Sequence, residues 1–227
     1  MKTAIVACKT MEDELNSALE KTGCGYPVIW LDSGLHNVPK RLQTAVQEAI
    51  DGADADRVLL ALGFCGNALA GVEAGKAELI LPRVDDCISL LLGSVRRRLE
   101  ITDRYAAYFF TEGWLRGERN IWVEHLHMLE KYGEEVTEAL EEDMFGHYRT
   151  LGLLDCGEKP VEPLIEHTKM IADALHLEQK VIPASVDYLR ELLTGPWPEE
   201  RFLRVSPGGR IELSAMTLPK DEEAPRT

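Results

Sequence analysis

The chain has 227 residues and a formal net charge of −14, from 39 acidic against 25 basic side chains. That balance argues against a nucleic-acid partner, because phosphate neutralisation needs clustered Lys and Arg, and the one basic cluster, Arg96-Arg97-Arg98, reads as a solvated helix face. Hydrophobic content of 45% is ordinary for a globular protein, no apolar run is long enough to span a bilayer, and MKTAIVAC lacks the apolar region and cleavage site of a signal peptide, so the expectation is a cytoplasmic protein with no membrane contact.

Residues 3–7 read as a first strand, and MEDELNSALEKTG as a helix with Leu15 and Leu19 on one face and Gly23 as its stop. Val28–Leu31 is the second strand. Asn37 is the expected N-cap of the next helix, with Pro39 in its first turn and RLQTAVQEAI carrying the amphipathic pattern. A third strand, Arg57–Leu62, enters the turn Gly63-Phe64-Cys65-Gly66-Asn67, and a short helix is expected over Ala68–Ala74. Glu78–Leu81 is a fourth strand ended by Pro82, and Asp85 or Asp86 caps the helix CISLLLGSVRRRLE. Tyr105–Thr111 is a fifth strand. Residues 112–146 read as mostly helical, an insertion or small cap. Then come a strand at Arg149–Leu154, the helix VEPLIEHTKMIADALHLE, a strand at Lys180–Pro183, the helix DYLRELLTG and two short strands around Pro207-Gly208-Gly209.

This alternation predicts an α/β protein with an open, mainly parallel, Rossmann-like sheet and helices on both faces. It is expected as one domain over residues 1–217, followed by a flexible tail, 218–227.

Three cysteines stand where apolar runs stop: Cys8 in TAIVACKT, Cys65 in VLLALGFCGN and Cys87 in LILPRVDDC. His36 follows YPVIWL in the same way. In open α/β sheets ligands bind outside the carboxyl ends of the strands, so these residues, distant in sequence, are expected to meet at one edge. Three thiolates with an imidazole suit a zinc ion or an iron–sulfur cluster with an open or non-cysteine position. His36 is a fourth ligand or a base. Cys87, in the first turn of its helix, is expected to favour the thiolate. Gly63, Gly66 and Asn67 would let a cofactor approach the turn closely. Cys65 also has a second reading: Gly-Phe-Cys-Gly between strand and helix resembles a nucleophile elbow, with His36 as base and no metal.

Glu112, after the fifth strand, is expected at the same edge, as an acid/base, an oxygen ligand or a helix cap. Trp114 is a candidate wall of the pocket. Cys24 reads as a buried small residue, and five cysteines in a cytosolic chain do not read as a disulfide framework. His125 and His127, two apart, are not a chelating pair. No GxGxxG follows the first strand and no Walker motif occurs, so neither a dinucleotide nor an ATP site is expected.

With Leu35-His36-Asn37, Gly63-Phe64-Cys65-Gly66, Cys87 before Gly93-Ser94, and the run Tyr108 to Leu115, the chain resembles the DUF1638 family of bacterial and archaeal proteins. The resemblance begins at Cys8, Glu14 and Leu15 and ends near Phe202-Leu203 and Pro207-Gly208. It implies an anaerobic setting beside corrinoid-dependent methyltransferases, hence an iron–sulfur cluster ahead of zinc. The implied partner is a small-molecule substrate at an open coordination position, or a corrinoid protein that this chain serves as a non-catalytic accessory or metallochaperone. Family members commonly lack a cysteine at the position of Cys156, which sets that residue apart from the other three.

Overall fold

A computed structural model describes residues 1–216 of the chain; the expected tail, 218–227, lies outside the described residues. The fold is α/β, and its strands are mainly parallel. The first half runs β1 (Thr3–Cys8), α1 (Glu12–Thr22), β2 (Val28–Leu31), α2 (Pro39–Gly52), β3 (Arg57–Ala61), β4 (Glu78–Pro82), α3 (Cys87–Leu92) and α4 (Val95–Tyr105). The second half runs β5 (Ala107–Phe110), α5 (Glu112–Leu115), α6 (Ile121–Tyr132), α7 (Glu134–Phe145), β6 (Thr150–Asp155), α8 (Glu162–Ala174), β7 (Glu178–Pro183), α9 (Asp187–Thr194) and β8 (Phe202–Val205).

The strands form two sheets where one open sheet was expected. Five pair in the order β2-β1-β3-β4-β8, and three in the order β5-β6-β7. The cause lies at the edge of β4. The returning chain lays β8 antiparallel on it, with Leu79 opposite Val205 and Pro82 opposite Phe202. That edge is therefore filled, and β5 pairs with β6 in a second parallel sheet. Pro82 lies inside β4 rather than beyond it.

The central strands are near-continuous apolar runs because both of their faces are covered. Ile5, Val6, Leu59, Leu60, Leu79 and Ile80 have no exposed surface. Helix α1 ends at Gly23, whose φ of 64° is the left-handed geometry of a C-terminal stop. Two expected details differ. Val38, not Asn37, precedes α2, because Leu35–Asn37 is occupied by a 3-10 turn. Residues 68–74 form turns rather than a helix: Gly66, Gly71 and Gly75 all take positive φ, which interrupts any helical run. Downstream of β8 the described residues make a single bridge, Glu73 to Arg210, in place of a second strand. Among the described residues no helix is long and apolar enough to cross a membrane.

Candidate functional site

The carboxyl ends of β1, β2, β3 and β4 open onto one cavity of about 420 Å³. Cys8 ends β1, His36 follows β2, Cys65 follows β3 and Cys87 follows β4; all four line this cavity, together with Gly66, Asp86 and Trp114. The rest of the lining is largely aliphatic, from Leu31, Leu35, Leu42 and Leu62, and none of the lining residues is Lys or Arg. At the rim, Lys9 pairs with Asp32 at 2.6 Å.

Two turns are laced together to hold Cys65 and Cys87. The Phe64 and Cys65 amides donate to the carbonyls of Val84 and Asp85, at 2.9 and 2.7 Å. The turns approach so closely that a Cβ on Gly63 would stand 2.5 Å from Asp86 Cα. Cys65 itself has φ of 47°, a left-handed conformation that side-chain-bearing residues rarely adopt. Local strain of this kind, about 1–2 kcal/mol, persists where surrounding structure fixes it.

Behind Cys87, Asp86 caps α3 by accepting from the Ser89 amide at 2.7 Å, as the sequence suggested. Asp85 accepts from the Ser89 hydroxyl at 2.5 Å and from Arg98 Nη2 at 2.5 Å. Arg98 Nε also donates to Ser89 Oγ at 3.0 Å. Arg98 is thus no solvated cation of a basic face but a clamp on the turn that carries Cys87. Burial, aided by the Asp85 carboxylate, pushes the Asp86 carboxyl up from its ordinary value.

The three thiols interact. A hydrogen bond to Cys65, with complete burial, holds the proton on Cys87 and pushes its thiol well above the usual range. Burial, then the proximity of Cys87, pushes Cys8 up to about 11; the Thr10 hydroxyl lies 3.1 Å from its sulfur. The expectation of a Cys87 thiolate at the helix start is therefore corrected. The favourable helix-end field, about 0.3–1 kcal/mol at a surface, is outweighed by the hydrogen bond with Cys65 and by desolvation of a buried anion. Burial lowers the His36 imidazole below its ordinary value, so it is neutral at pH 7 and free to accept a proton or bind a soft metal. Its ring lies 6.3 Å from that of Trp114. Trp114 reaches the cavity because Thr111 caps α5 through the Trp114 amide at 3.2 Å and because Gly113, with no side chain, packs against the Thr10 backbone.

In kind, three thiols and a neutral imidazole are the donors of a soft-metal site. Among the described residues, no group of three or more His, Cys, Asp or Glu side chains is placed to hold a metal ion.

The remaining sequence candidates fall elsewhere. Asn67 is exposed beside the turn. Gly63 is fixed by packing against Asp86 and does not line the cavity, whereas Gly66, with φ of 70°, does. Glu112 is not brought to the cysteines. It follows β5 in the second sheet, lines a separate small cavity with Glu14 and Cys156, and lies 3.5 Å from His167 Nδ1. Glu14, on α1, entered the sequence reading only as a landmark of the family resemblance, with no site role. It is 7% exposed, one carboxylate oxygen has no partner, and burial pushes it up to about 7. Nothing in DELNSALE distinguishes it from a solvated helical acid; only the packing of α1 buries it.

No curated protein and no solved structure matches the chain. The model of the family described as protein of unknown function (DUF1638) matches residues 30–193, a span that holds His36, Cys65, Cys87 and Glu112 and leaves out Cys8. The chain belongs to the DUF1638 family.

Proposed function

We propose that this protein is a soft-metal protein whose centre is held by Cys8, Cys65 and Cys87, with His36 as fourth donor or as a base beside an open position. The observation that carries the reading is convergence: four separate strand ends deliver three thiols and an imidazole to one cavity. Both an iron–sulfur cluster and zinc suit this donor set; the cluster is preferred because of the anaerobic setting that the family resemblance implies. Cys65 raises the proton affinity of Cys87, and Cys87 that of Cys8, and a cation that replaces those two protons relieves the same crowding. We read the fold as Rossmann-like on the order β2-β1-β3-β4, with the site at the carboxyl edge.

A bound soft metal supplies a Lewis-acidic position for a thiol or thioether. The chain's own contribution is selection. An aliphatic and aromatic cavity with no Lys or Arg in its lining excludes phosphates and carboxylates and admits a small neutral molecule. Such chemistry fits a place in corrinoid-linked methyl or one-carbon metabolism, with a corrinoid protein as partner if the chain is an accessory rather than an enzyme. Co-purification with a corrinoid protein, without turnover of any small substrate, distinguishes the accessory role.

A second reading is favoured by one observation, the left-handed φ of Cys65 between Gly63 and Gly66. That is the local geometry of an exposed nucleophile, with His36 as base. Metal content separates the two readings. Protein purified without oxygen is expected to carry metal that the Cys65→Ser variant lacks. Metal-free protein that is alkylated rapidly and only at Cys65, dependent on His36, supports the nucleophile instead.

A further inference from the structure

At the amino-terminal side of β6 and β7, away from the cysteines, a cleft of about 620 Å³ lies between the α6–α7 hairpin and the α8–β7 connection. Its floor is apolar, from Ile121, Leu129, Phe145 and Leu177. Its wall is α7, which carries six acidic residues and no Lys or Arg over Glu134–Phe145. Glu134, Glu138 and Glu142 follow one another at i, i+4 spacing and all line the cleft. Like charges at that spacing destabilise a helix by about 0.2–0.5 kcal/mol per pair. Among the described residues none of the three has an ion-pair partner, whereas Glu141 has His125 at 2.6 Å. Asp173 adds a carboxylate from the facing side. The one Lys or Arg of the lining, Arg149, donates to the carbonyls of Gly146 and Tyr148.

A second, independent deficit lies in the same place. Thr137 lines the cleft, is 1% exposed, and its hydroxyl has no partner. An unsatisfied buried hydroxyl costs about 1–3 kcal/mol. A row of exposed carboxylates without cationic partners and an unpartnered buried hydroxyl beside an apolar floor together suit one kind of group, a cationic N–H donor on an aliphatic stem.

We propose that this cleft binds a linear aliphatic polyamine. Its ammonium groups pair with Glu134, Glu138, Glu142 and Asp173, its methylenes cover the floor, and one N–H reaches the Thr137 hydroxyl. A second copy of this chain is disfavoured as occupant because acidic faces repel. A bare divalent ion is disfavoured because it would leave the apolar floor uncovered. The proposal does not depend on the metal reading.

Spermidine is the probe, titrated calorimetrically and by thermal unfolding into the full chain at about 150 mM salt, where long-range surface electrostatics are screened. One saturable site and a rise in Tm are expected. Glu138→Gln with Glu142→Gln should raise the Tm of the unliganded protein, by removing like-charge repulsion, while weakening spermidine about tenfold or more, the equivalent of 1.4 kcal/mol. The exposed pair Glu199→Gln with Glu200→Gln should change neither. Absence of saturable binding, equal binding of magnesium at matched ionic strength, or equal weakening by the Glu199/Glu200 pair would overturn the proposal.

Discussion

Metal affinity at the cysteine cavity should depend steeply on pH, and the slope can be worked from the thiols. Cys8 is pushed up to about 11 and Cys87 well above the usual range, so both carry protons throughout pH 7–9. Coordination requires thiolates. Each must therefore release its proton on binding, and affinity should rise about tenfold per pH unit per thiol, or about a hundredfold for the two. His36 contributes no slope in this window, because burial has moved it below its ordinary value and it is already neutral. At pH 7 the deprotonation of Cys8 alone costs roughly 5 kcal/mol, at 1.36 kcal/mol for each unit between pH and pKa. The assay is competition between metal-free protein and a chromophoric chelator for zinc or cadmium, with proton release followed by an indicator dye. Cys8→Ser should remove about one unit of slope. A slope near zero from pH 7 to 9, or a slope that Cys8→Ser leaves unchanged, would show that these protons are not displaced by the metal.

Three further outcomes follow from the packing. Glu14 has a folded value of about 7 against an ordinary 4.5, so its contribution is present below pH 4.5 and lost as pH rises to about 7; Glu14→Gln should therefore gain about 3 kcal/mol relative to wild type at pH 8 and little at pH 4, by denaturant melts at both. Gly63→Ala would drive a Cβ into the Asp86 backbone, and should destabilise by more than about 2 kcal/mol in the same melts, with no gain of metal uptake; wild-type stability would show that the two turns are not held as described. Cys65→Gly should release the strain of a left-handed cysteine and stabilise the fold by about 1 kcal/mol while metal uptake is lost; a large destabilisation would mean that the thiol, not the turn, holds this region together.

The strands of the first sheet were legible because doubly buried parallel strands are written as short apolar runs. TAIVAC, VIWL, RVLLA and ELILP stand out within a few residues of their observed limits. Since parallel strands share a carboxyl edge, the meeting of Cys8, His36, Cys65 and Cys87 could be inferred from sequence alone. What could not be inferred was which strand lies beside which. FLRV carries no mark that it will return to pair with β4, and so the division into two sheets was invisible; nor could the sequence show that α5 lends Trp114 to the cysteine cavity and Glu112 to a separate one. Protonation was equally hidden. The start of α3 favours a thiolate, and only burial against Cys65 reverses that preference. Arg98 read as a surface charge because its partner Asp85 lies 13 residues away, across a turn whose shape depends on Gly63 and Asp86 touching.

A metal centre on Cys8, Cys65 and Cys87 is decided by purifying the protein without oxygen and measuring iron, zinc and acid-labile sulfide per chain, in wild type and in single Ser variants of the three cysteines. Iron and sulfide in roughly equal amounts, or about one zinc without sulfide, are expected in wild type and lost in each variant. Folded wild-type protein that holds neither, and takes up neither on reconstitution, would exclude that centre.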